Sequence, residues 1–433
     1  MKFKKSLALG SLSLIAIMTL AACSNNEHAG KTQIEFMTSS VEQERLAVIN
    51  ELVNDFEKDY PDIHVKVVPV DENAYNTKVV TLARANKMPE VVEVSQDFAK
   101  VMDQDLLINK EAVDEIIEEV GEETYYDGAK RLVRSEDGAH YIAAPISGWV
   151  QGIWYDKKQL ASKGITDLSS WEKVEEAAKK FNDPKNKKFG IALPTADSVM
   201  SEQAFSQFAL SNEANVLDAQ GNITIDSPEM KEALNFYSDL SKYTMPGSND
   251  VTEINDAFMN GTVPMAIYST YIMPGVFESG KAPNLGFAIP QNKSEAVYGT
   301  VSGLTIAANK SDEKTEAAKE FVTYLSQQEN MEKWVLMSPG GAQPVNKNIV
   351  NSPTYQANEV IQAFGTLPTE IANSFDKIQV FGLVGEKNFK KMGNITSAGI
   401  VGRAVHNVTV GNKTVGPALE AAQAEAIKAT EDN

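Results

Sequence analysis

Two clusters of aromatic residues are the groups of this chain best suited to bind a ligand. Trp149, Trp154 and Tyr155 lie in one stretch with serine, glycine and glutamine, and Tyr268 and Tyr271 lie in another with serine and threonine. A pyranose packs its apolar C–H face on flat rings and bonds its hydroxyls to polar side chains. The clusters are therefore typical of a sugar site. Core packing explains any single ring equally well, and it is favoured for Trp154 and Tyr155, which begin a strand.

Groups that would support metal binding or common catalytic mechanisms are sparse. The four histidines, at positions 28, 64, 140 and 406, are not at metal-ligand spacing, and the chain has one cysteine, so we expect no zinc site. Neither the phosphate-binding loop G-x-x-x-x-G-K-[ST] nor the hydrolase elbow G-x-S-x-G occurs. We predict no metal and no cofactor. The 59 acidic residues leave a glycosidase carboxylate pair open, because such a pair is defined by distance in space.

Composition narrows the class of protein further. The 433 residues are 42% hydrophobic and 23% charged, and 40 Lys and Arg against 59 Asp and Glu give a formal net charge of -19. These proportions are ordinary for a soluble folded chain, and about 100–200 residues per domain predicts two or three domains. A chain this acidic is not attracted to phosphate backbones, so we expect no nucleic-acid partner.

The first residues read as a targeting segment. Lys2, Lys4 and Lys5 precede an apolar run at residues 7–20, and Ala21, Ala22 and Cys23 follow, the pattern of a secretory signal. The run is shorter than the roughly 20 residues of a comfortable membrane span. We predict a signal peptide at 1–22 and a polar tether at 23–31. LAAC at 20–23 resembles a bacterial lipobox, so we expect lipid on Cys23 to be the only membrane attachment, since two acyl chains anchor stably.

Periodicity predicts how the aromatic clusters are positioned. Residues 33–37, 64–70 and 90–94 read as strands, and residues 41–58 and 75–85 carry apolar side chains at helical spacing. Alternating strands and helices predict a parallel sheet with helices packed on it, whose ligands sit at the carboxyl ends of the strands. Further on, residues 171–181 predict a helix, residues 223–225 a strand, and residues 226–242 a helix that opens with a capping side chain and a proline.

Besides the lipobox, the chain contains in this order IWYDKKQL at 153–160, SWE at 170–172, DAFMNGTVPMAI at 256–267, VSGLTI at 301–306, AAKEFV at 317–322 and GGAQPV at 340–345. Together these segments resemble the extracellular solute-binding proteins of carbohydrate ABC transporters, the family of maltodextrin-binding proteins. The sequence departs from the family pattern at Tyr271, where tryptophan is usual, and at Asp156 and Pro264. A smaller ring at 271 bears on ligand preference, because it offers less area for stacking.

The resemblance implies an α/β fold of two lobes, similar to type II periplasmic-binding proteins, each a mostly parallel sheet flanked by helices and hinged at several chain crossings. It places an N-terminal lobe at residues 31–145 plus 304–345 and a C-terminal lobe at 146–303 plus 346–433. The ligand would lie between the lobes. The ligand-binding candidates that follow are Ser39, Ser40, Ser95, Gln96, Asp97, Trp149, Tyr268, Tyr271, Ser302, Gly303, Gly340 and Gly341.

The resemblance also implies the function. We expect a monomeric, lipid-anchored carbohydrate-binding protein, without enzymatic activity, on the outer face of the cytoplasmic membrane of a Gram-positive bacterium. It would capture an oligosaccharide and deliver it to ABC permease subunits powered by a separate ATPase. A carrier of peptides, polyamines or metals is the first alternative, and an extracellular glycosidase is the second.

Overall fold

A computed structural model describes residues 30–431 of the chain. The predicted lipid attachment at Cys23 and signal peptide at 1–22 lie outside these residues. Within the described part, the helices are too short or too polar to cross a membrane.

The first part of the structure follows the predicted alternation of strands and helices. Its elements are β1 (Thr32–Thr38), α1 (Gln43–Asp59), β2 (Ile63–Pro69), α2 (Glu72–Arg84) and β3 (Val91–Ser95). Helix α1 buries one face, which includes Leu52 and Phe56, and ends at the residue before Tyr60 and Pro61. This ending is expected, because proline disfavours helical geometry in the residue before it.

The rest of the described chain is rich in helices. Its strands are β4 (Ala144–Asp156), β5 (Met265–Ser269), β6 (Leu285–Ala288), β7 (Gly299–Ile306), β8 (Leu383–Val384) and β9 (Lys387–Asn388). Its helices are α3 (Gln96–Gln104), α4 (Lys110–Val120), α5 (Asp127–Leu132), α6 (Lys157–Ser162), α7 (Trp171–Phe181), α8 (Val199–Ser211), α9 (Pro228–Ser241), α10 (Val251–Met259), α11 (Met273–Glu278), α12 (Asp312–Ser326), α13 (Gln328–Val335), α14 (Pro353–Ala357), α15 (Glu359–Ala363), α16 (Leu367–Asn373), α17 (Lys391–Ser397), α18 (Ile400–Thr409) and α19 (Val415–Glu431).

One long strand, β4, connects the two halves of the sheet. The strand order is β2-β1-β3-β7-β4-β5, with β6 also on β4. Strand β1 is parallel to both β2 and β3, whereas β7 is antiparallel to β3 and to the first half of β4. The second half of β4 pairs with β5 and β6, again antiparallel. Between the halves of the sheet, residues 144–150 of β4 run antiparallel to residues 299–304 of β7. We call this region the crossing.

Each half of the sheet has an aromatic core. On the β1 side, Phe36 and Phe56 both contact the ring of Phe321 edge-on, at centroid distances of 5.5 and 5.1 Å. On the other side, Trp154 is fully buried, packs 4.5 Å from Phe287, and donates its indole N–H to a backbone carbonyl of β5 at 2.8 Å. The interpretation of Trp154 as a core residue is confirmed.

The strand predicted at residues 223–225 is wrong. Only Ile223 forms a bridge, with Leu217. The chain then turns, because the amide of Ser227 donates to the carbonyl of Thr224 at 3.2 Å, and α9 starts one residue later. The turn residues therefore override the three β-branched residues of this short segment.

The start of α9 offers a test of local stability. The hydroxyl of Ser227 accepts a hydrogen bond from the amide of Met230 at 3.2 Å, and Pro228 occupies the first turn, as the sequence predicts. We expect Ser227→Ala to lower the free energy of unfolding by about 1 kcal/mol, because an orphan amide loses its partner. Thermal denaturation measures the effect. Ser227→Thr retains the oxygen and should cost less; equal losses in both variants would contradict the capping role.

Candidate functional site

The crossing positions Trp149. It lies on β4 opposite Thr300 of β7, and its half-buried ring is 6.0 Å from the ring of Tyr298, at an angle of 58°. A third segment joins the crossing next to it, since Gly148 exchanges two backbone hydrogen bonds, of 3.0 and 2.8 Å, with Gln343. Three passages of the chain therefore meet beside one half-buried indole.

The backbone at the crossing is tightly packed around its glycines. A Cβ atom on Gly148 would lie 2.5 Å from the carbonyl oxygen of Thr300, and one on Gly303 would lie 2.7 Å from the Cβ of Ala143. Ser302, beside Gly303, is half-buried and pairs with strand residues on both sides. Glycine is needed at 148 and 303 because the neighbouring strands come too close for a side chain.

The ends of β1 and β3 are tied together by a carboxylate. Thr38 donates its hydroxyl to Glu93 at 2.6 Å, and the backbone amide of Ser39 donates to the same oxygen at 3.1 Å. The amide of Ser40, which is buried, donates to the Thr38 hydroxyl. Burial raises the pKa of Glu93, and these hydrogen bonds oppose the shift. The two predicted serines are thus held at the carboxyl end of the parallel strands.

The start of α3 brings an amide and a carboxylate to the crossing. Ser95 caps the helix by accepting from the amide of Phe98 at 3.3 Å. Gln96 is buried and accepts the amide of Val301 at 2.6 Å, while its side-chain NH2 has no partner among the described residues. Asp97, half-buried, receives the Lys100 ammonium at 3.4 Å. An unpartnered buried amide is available to a ligand group, because leaving it unbonded is costly.

Tyr271 lies across from the first elements of the chain. Its ring is 39% exposed, and the guanidinium carbon of Arg45, on α1, is 5.9 Å from the ring centroid. Desolvation raises the pKa of its hydroxyl, Arg45 lowers it, and Glu93 raises it further. The ring also covers Gly341, where an added Cβ would lie 2.9 Å from it. Tyr271 is therefore a partly open ring between the two halves.

Three predicted residues lie less directly at this place. Tyr268 is half-buried against an apolar cluster that includes Met200 and Ile254, and its charged neighbour is Asp250. Gly340 is buried with a φ of +77°, a backbone conformation that favours glycine, and contacts the side chain of Met273. The conformation of Gly340 shapes the loop that carries Gly341, whereas the geometry ties Tyr268 to the core of its own half.

Sequence reasoning missed a buried acid beside the crossing. Glu202, in the first turn of α8, is 6% exposed and accepts the hydroxyl of Thr396, on α17, at 2.7 Å. Its second oxygen has no partner among the described residues. Burial raises the pKa of Glu202 to about 7, Thr396 lowers it, and Asp97 raises it. No local signal distinguishes this glutamate among 59 acidic residues; its burial depends on α8 and α17 packing together.

Tyr298 connects these groups. Burial raises the pKa of its hydroxyl well above the usual value, and the charges of Asp97 and Glu202 add to the shift. The two carboxyl groups and Tyr298 therefore occupy one neighbourhood, next to Trp149. Rings, carboxylates and an open amide together can hold a solute that has both an apolar face and hydroxyl groups.

Comparison with known proteins identifies the family. Residues 39–332 match the family described as bacterial extracellular solute-binding proteins. A putative ABC transporter periplasmic-binding protein, YcjN, from Escherichia coli is 53% identical over 411 residues, which cover 95% of each chain. This chain belongs to the bacterial extracellular solute-binding protein family. The solute-binding protein is also 24% identical over 364 residues to an arabinooligosaccharide-binding protein from Halalkalibacterium halodurans, covering 78% of this chain and 76% of the relative.

Solved structures show that the solute-binding protein has the fold of this family. Maltose-bound MalE3 from T. maritima is similar with a TM-score of 0.75 at 21% identity, covering 92% of this chain and 99% of that one. A solute-binding protein from Thermotoga Lettingae bound with α-D-tagatose also has a TM-score of 0.75, at 18% identity, with coverage of 92% and 100%. The predicted two-lobed α/β fold is confirmed.

Proposed function

We propose that this solute-binding protein is the carbohydrate-binding component of an ABC importer. The observation that carries the proposal is the pair of partly open rings, each with a carboxylate nearby: Trp149 packs on Tyr298, on which Asp97 and Glu202 act, and Tyr271 lies beside Arg45 and is acted on by Glu93. Rings and hydroxyl-binding groups together select saccharides over purely apolar or purely charged solutes. The names of relatives support the same class, since one is an arabinooligosaccharide-binding protein and another a multiple sugar-binding protein.

The proposed mechanism is capture between two lobes followed by delivery. We assign residues 31–145 and 304–345 to the N-terminal lobe and residues 146–303 and 346–433 to the C-terminal lobe. An oligosaccharide that contacts both lobes favours the closed arrangement, because its affinity for that arrangement is higher. The closed surface is then read by ABC permease subunits, and a separate ATPase supplies the energy. We further propose a monomer, anchored by lipid on Cys23 to the outer face of a Gram-positive membrane, that does not alter its ligand.

The roles of the binding residues differ. Trp149 and Tyr271 serve as stacking platforms, and Asp97 accepts hydroxyl groups of the sugar, each such charge-assisted bond contributing about 1.5–3 kcal/mol. Ser302 and Gly303 let the backbone approach the ligand and absorb dihedral change on closure. Ser39, Ser95 and Gln96 line the ends of the strands; Ser40, Tyr268, Gly340 and Gly341 complete the proposed set.

A ligand panel tests the substrate class. We expect one or more mono- or oligosaccharides to raise the melting temperature of the purified protein, since a ligand at a hundredfold excess over Kd stabilises by about 2.7 kcal/mol. Peptides, polyamines and metal ions form the comparison arm. Stabilisation by that arm alone would replace sugars with another solute class. Recovery of shortened sugar after prolonged incubation would favour a glycosidase over a carrier.

A further inference from the structure

The side chain of Glu202 is a carboxyl group with one bonded and one free oxygen. Thr396 satisfies Oε1, and Oε2 has no partner in the described chain although the residue is 94% buried. The hydroxyls of Ser198 and Ser201, in the same turn or just before it, are also buried and find no hydrogen-bond partner within residues 30–431. A buried polar group without a partner is expensive, so this turn of α8 is arranged for something that the chain itself does not supply.

The charged group that acts on the carboxyl group of Glu202 is another acid, Asp97. The helix α17, which carries Thr396, packs on the start of α3, since a Cβ on its Gly393 would lie 3.3 Å from the carbonyl oxygen of Asp97. Asp97 raises the pKa of Glu202, and both acids act on Tyr298. Asp97 has its own cation, Lys100, at 3.4 Å, whereas in the part of the chain that the structure describes the side chain of Glu202 receives only the neutral hydroxyl of Thr396. Within residues 30–431 no group of three metal-binding side chains lies here that could neutralise the pair with a metal ion. A proton on Glu202 is the remaining way to relieve the repulsion.

We propose that Glu202 and Asp97 form a hydroxyl-binding subsite in which the solute displaces a proton from Glu202. This inference rests on the proposed function, because the displacing group is a hydroxyl of a neutral saccharide. The hydroxyl donates to Oε2 of Glu202 and stabilises the carboxylate, and the proton leaves to solvent. The carbohydrate itself is unchanged, and no bond other than O–H of the carboxylic acid breaks.

The direction in which binding shifts the pKa of Glu202 depends on how far the saccharide can still desolvate this side chain. Glu202 is already 94% buried, so closing the lobes adds little further desolvation, whereas a new donor on Oε2 adds a direct interaction with the charged form. Binding therefore lowers the pKa of Glu202. At acidic pH Glu202 is ionised in only a small fraction of the ligand-free molecules. The apparent Kd rises in inverse proportion to that fraction. We expect Kd to fall at least about tenfold from pH 5.5 to pH 8, and to level off above about pH 7.

Other titratable groups surround the helix that carries Glu202, so the effect must be assigned by mutation. Three segments contribute such groups: α3 has Asp97 and Lys100, the segment before β7 has Tyr298, and α9 has Tyr237, whose hydroxyl donates to the carbonyl of Pro194. The further groups are Lys391 on α17, bonded to the carbonyl of Gly221, and Arg403 and His406 on α18, bonded to Glu425 and to the carbonyl of Thr195.

Calorimetric titration over pH 5.5–8 tests the subsite, with the saccharide that raises the melting temperature most in the panel above as the probe. In two buffers of different ionisation enthalpy at pH 6.5, the wild-type protein should release up to about three-quarters of a proton per saccharide, the fraction of Glu202 that is protonated there. Glu202→Gln should bind more weakly and without proton release. Glu118→Gln, an exposed glutamate on α4, is the matched control and should behave as wild type. Thr396→Val, which removes a donor to the carboxylate, should shift the pH profile to higher pH.

A measurement without ligand provides a second readout. Because burial raises the pKa of Glu202 from 4.5 to about 7, the unfolded state ionises first as pH rises, and the folded state loses stability across that interval. The melting temperature of Glu202→Gln should therefore fall less between pH 4.5 and 7 than that of the wild type or of Glu118→Gln. Parallel melting profiles would overturn the inference.

The outcomes separate the two proposals. If no saccharide stabilises the protein, the proposed function fails, and this inference fails with it. If a saccharide binds with the same affinity at all pH values, or more tightly at low pH, the carbohydrate function stands and the proton-displacing subsite is overturned. Proton release that persists in Glu202→Gln would also overturn it, by assigning the proton to another group.

Discussion

Replacing Trp149 with alanine should weaken saccharide binding at least tenfold, equivalent to about 1.4 kcal/mol. The indole is half-buried at the crossing and is oriented by the ring of Tyr298 at 6.0 Å. Truncation removes the stacking face of the indole and its contact with the ring of Tyr298, while the backbone hydrogen bonds of β4 remain. Isothermal titration calorimetry, with the saccharide identified by thermal stabilisation, measures the loss. Trp149→Phe keeps a flat ring and should lose less.

Tyr271→Ala should give a loss of similar size for the same physical reason. Its ring is 39% exposed and lies over Gly341, so a sugar can cover the open face. The control Tyr271→Phe removes the hydroxyl and keeps the ring. If the affinities of both alanine variants equal that of the wild type and their melting temperatures are unchanged, stacking is the wrong explanation of the site.

Gly148→Ala is expected to produce the second large effect, on stability. The new Cβ would lie 2.5 Å from the carbonyl oxygen of Thr300 and 2.7 Å from the ring of Phe375. Backbone cannot move aside as a flexible side chain can, so we expect a cost of about 3 kcal/mol, at the upper end for overpacking. The entropic advantage of alanine over glycine, about 0.5–1 kcal/mol, does not offset it. Thermal denaturation should show a clear drop in melting temperature, by several degrees.

Gly416 offers the matched control for this glycine. It lies in α19 with ordinary backbone geometry, and an added Cβ would meet no atom within 4 Å. Gly416→Ala should leave the melting temperature unchanged or raise it. A similar drop in both variants would mean that close approach at the crossing is not the cause. If Gly148→Ala is harmless, β4 and β7 can separate more easily than their packing implies.

Local patterns were sufficient to predict the elements from β1 to β3 and the helices α7 and α9. The helix at α7 has the predicted bounds, residues 171–181, because a capping serine and an apolar stripe mark it independently of the rest of the chain. The alternation from β1 to β3 is equally local. The segment at 223–225 shows the limit, because three apolar or β-branched residues do not make a strand when the chain must turn at once into α9.

The site could be predicted only in part, because its geometry is not local. Trp149 and Tyr271 were candidates as aromatic residues beside small polar ones, and Asp97 was a candidate through the family resemblance. The pKa of Glu202 depends on two other segments, which contribute Thr396 from α17 and Asp97 from α3. No spacing in the sequence encodes this meeting. A partnerless buried oxygen becomes visible only when the packing of helices is known.

The continuous course of β4 has a mechanical consequence. The strand pairs with β7 as far as Val150 and with β5 from Gln151 onward, so a rotation of one half against the other at this junction can leave the hydrogen bonds of both ladders intact. The amide hydrogens of β4 should then resist deuterium exchange whatever the degree of opening.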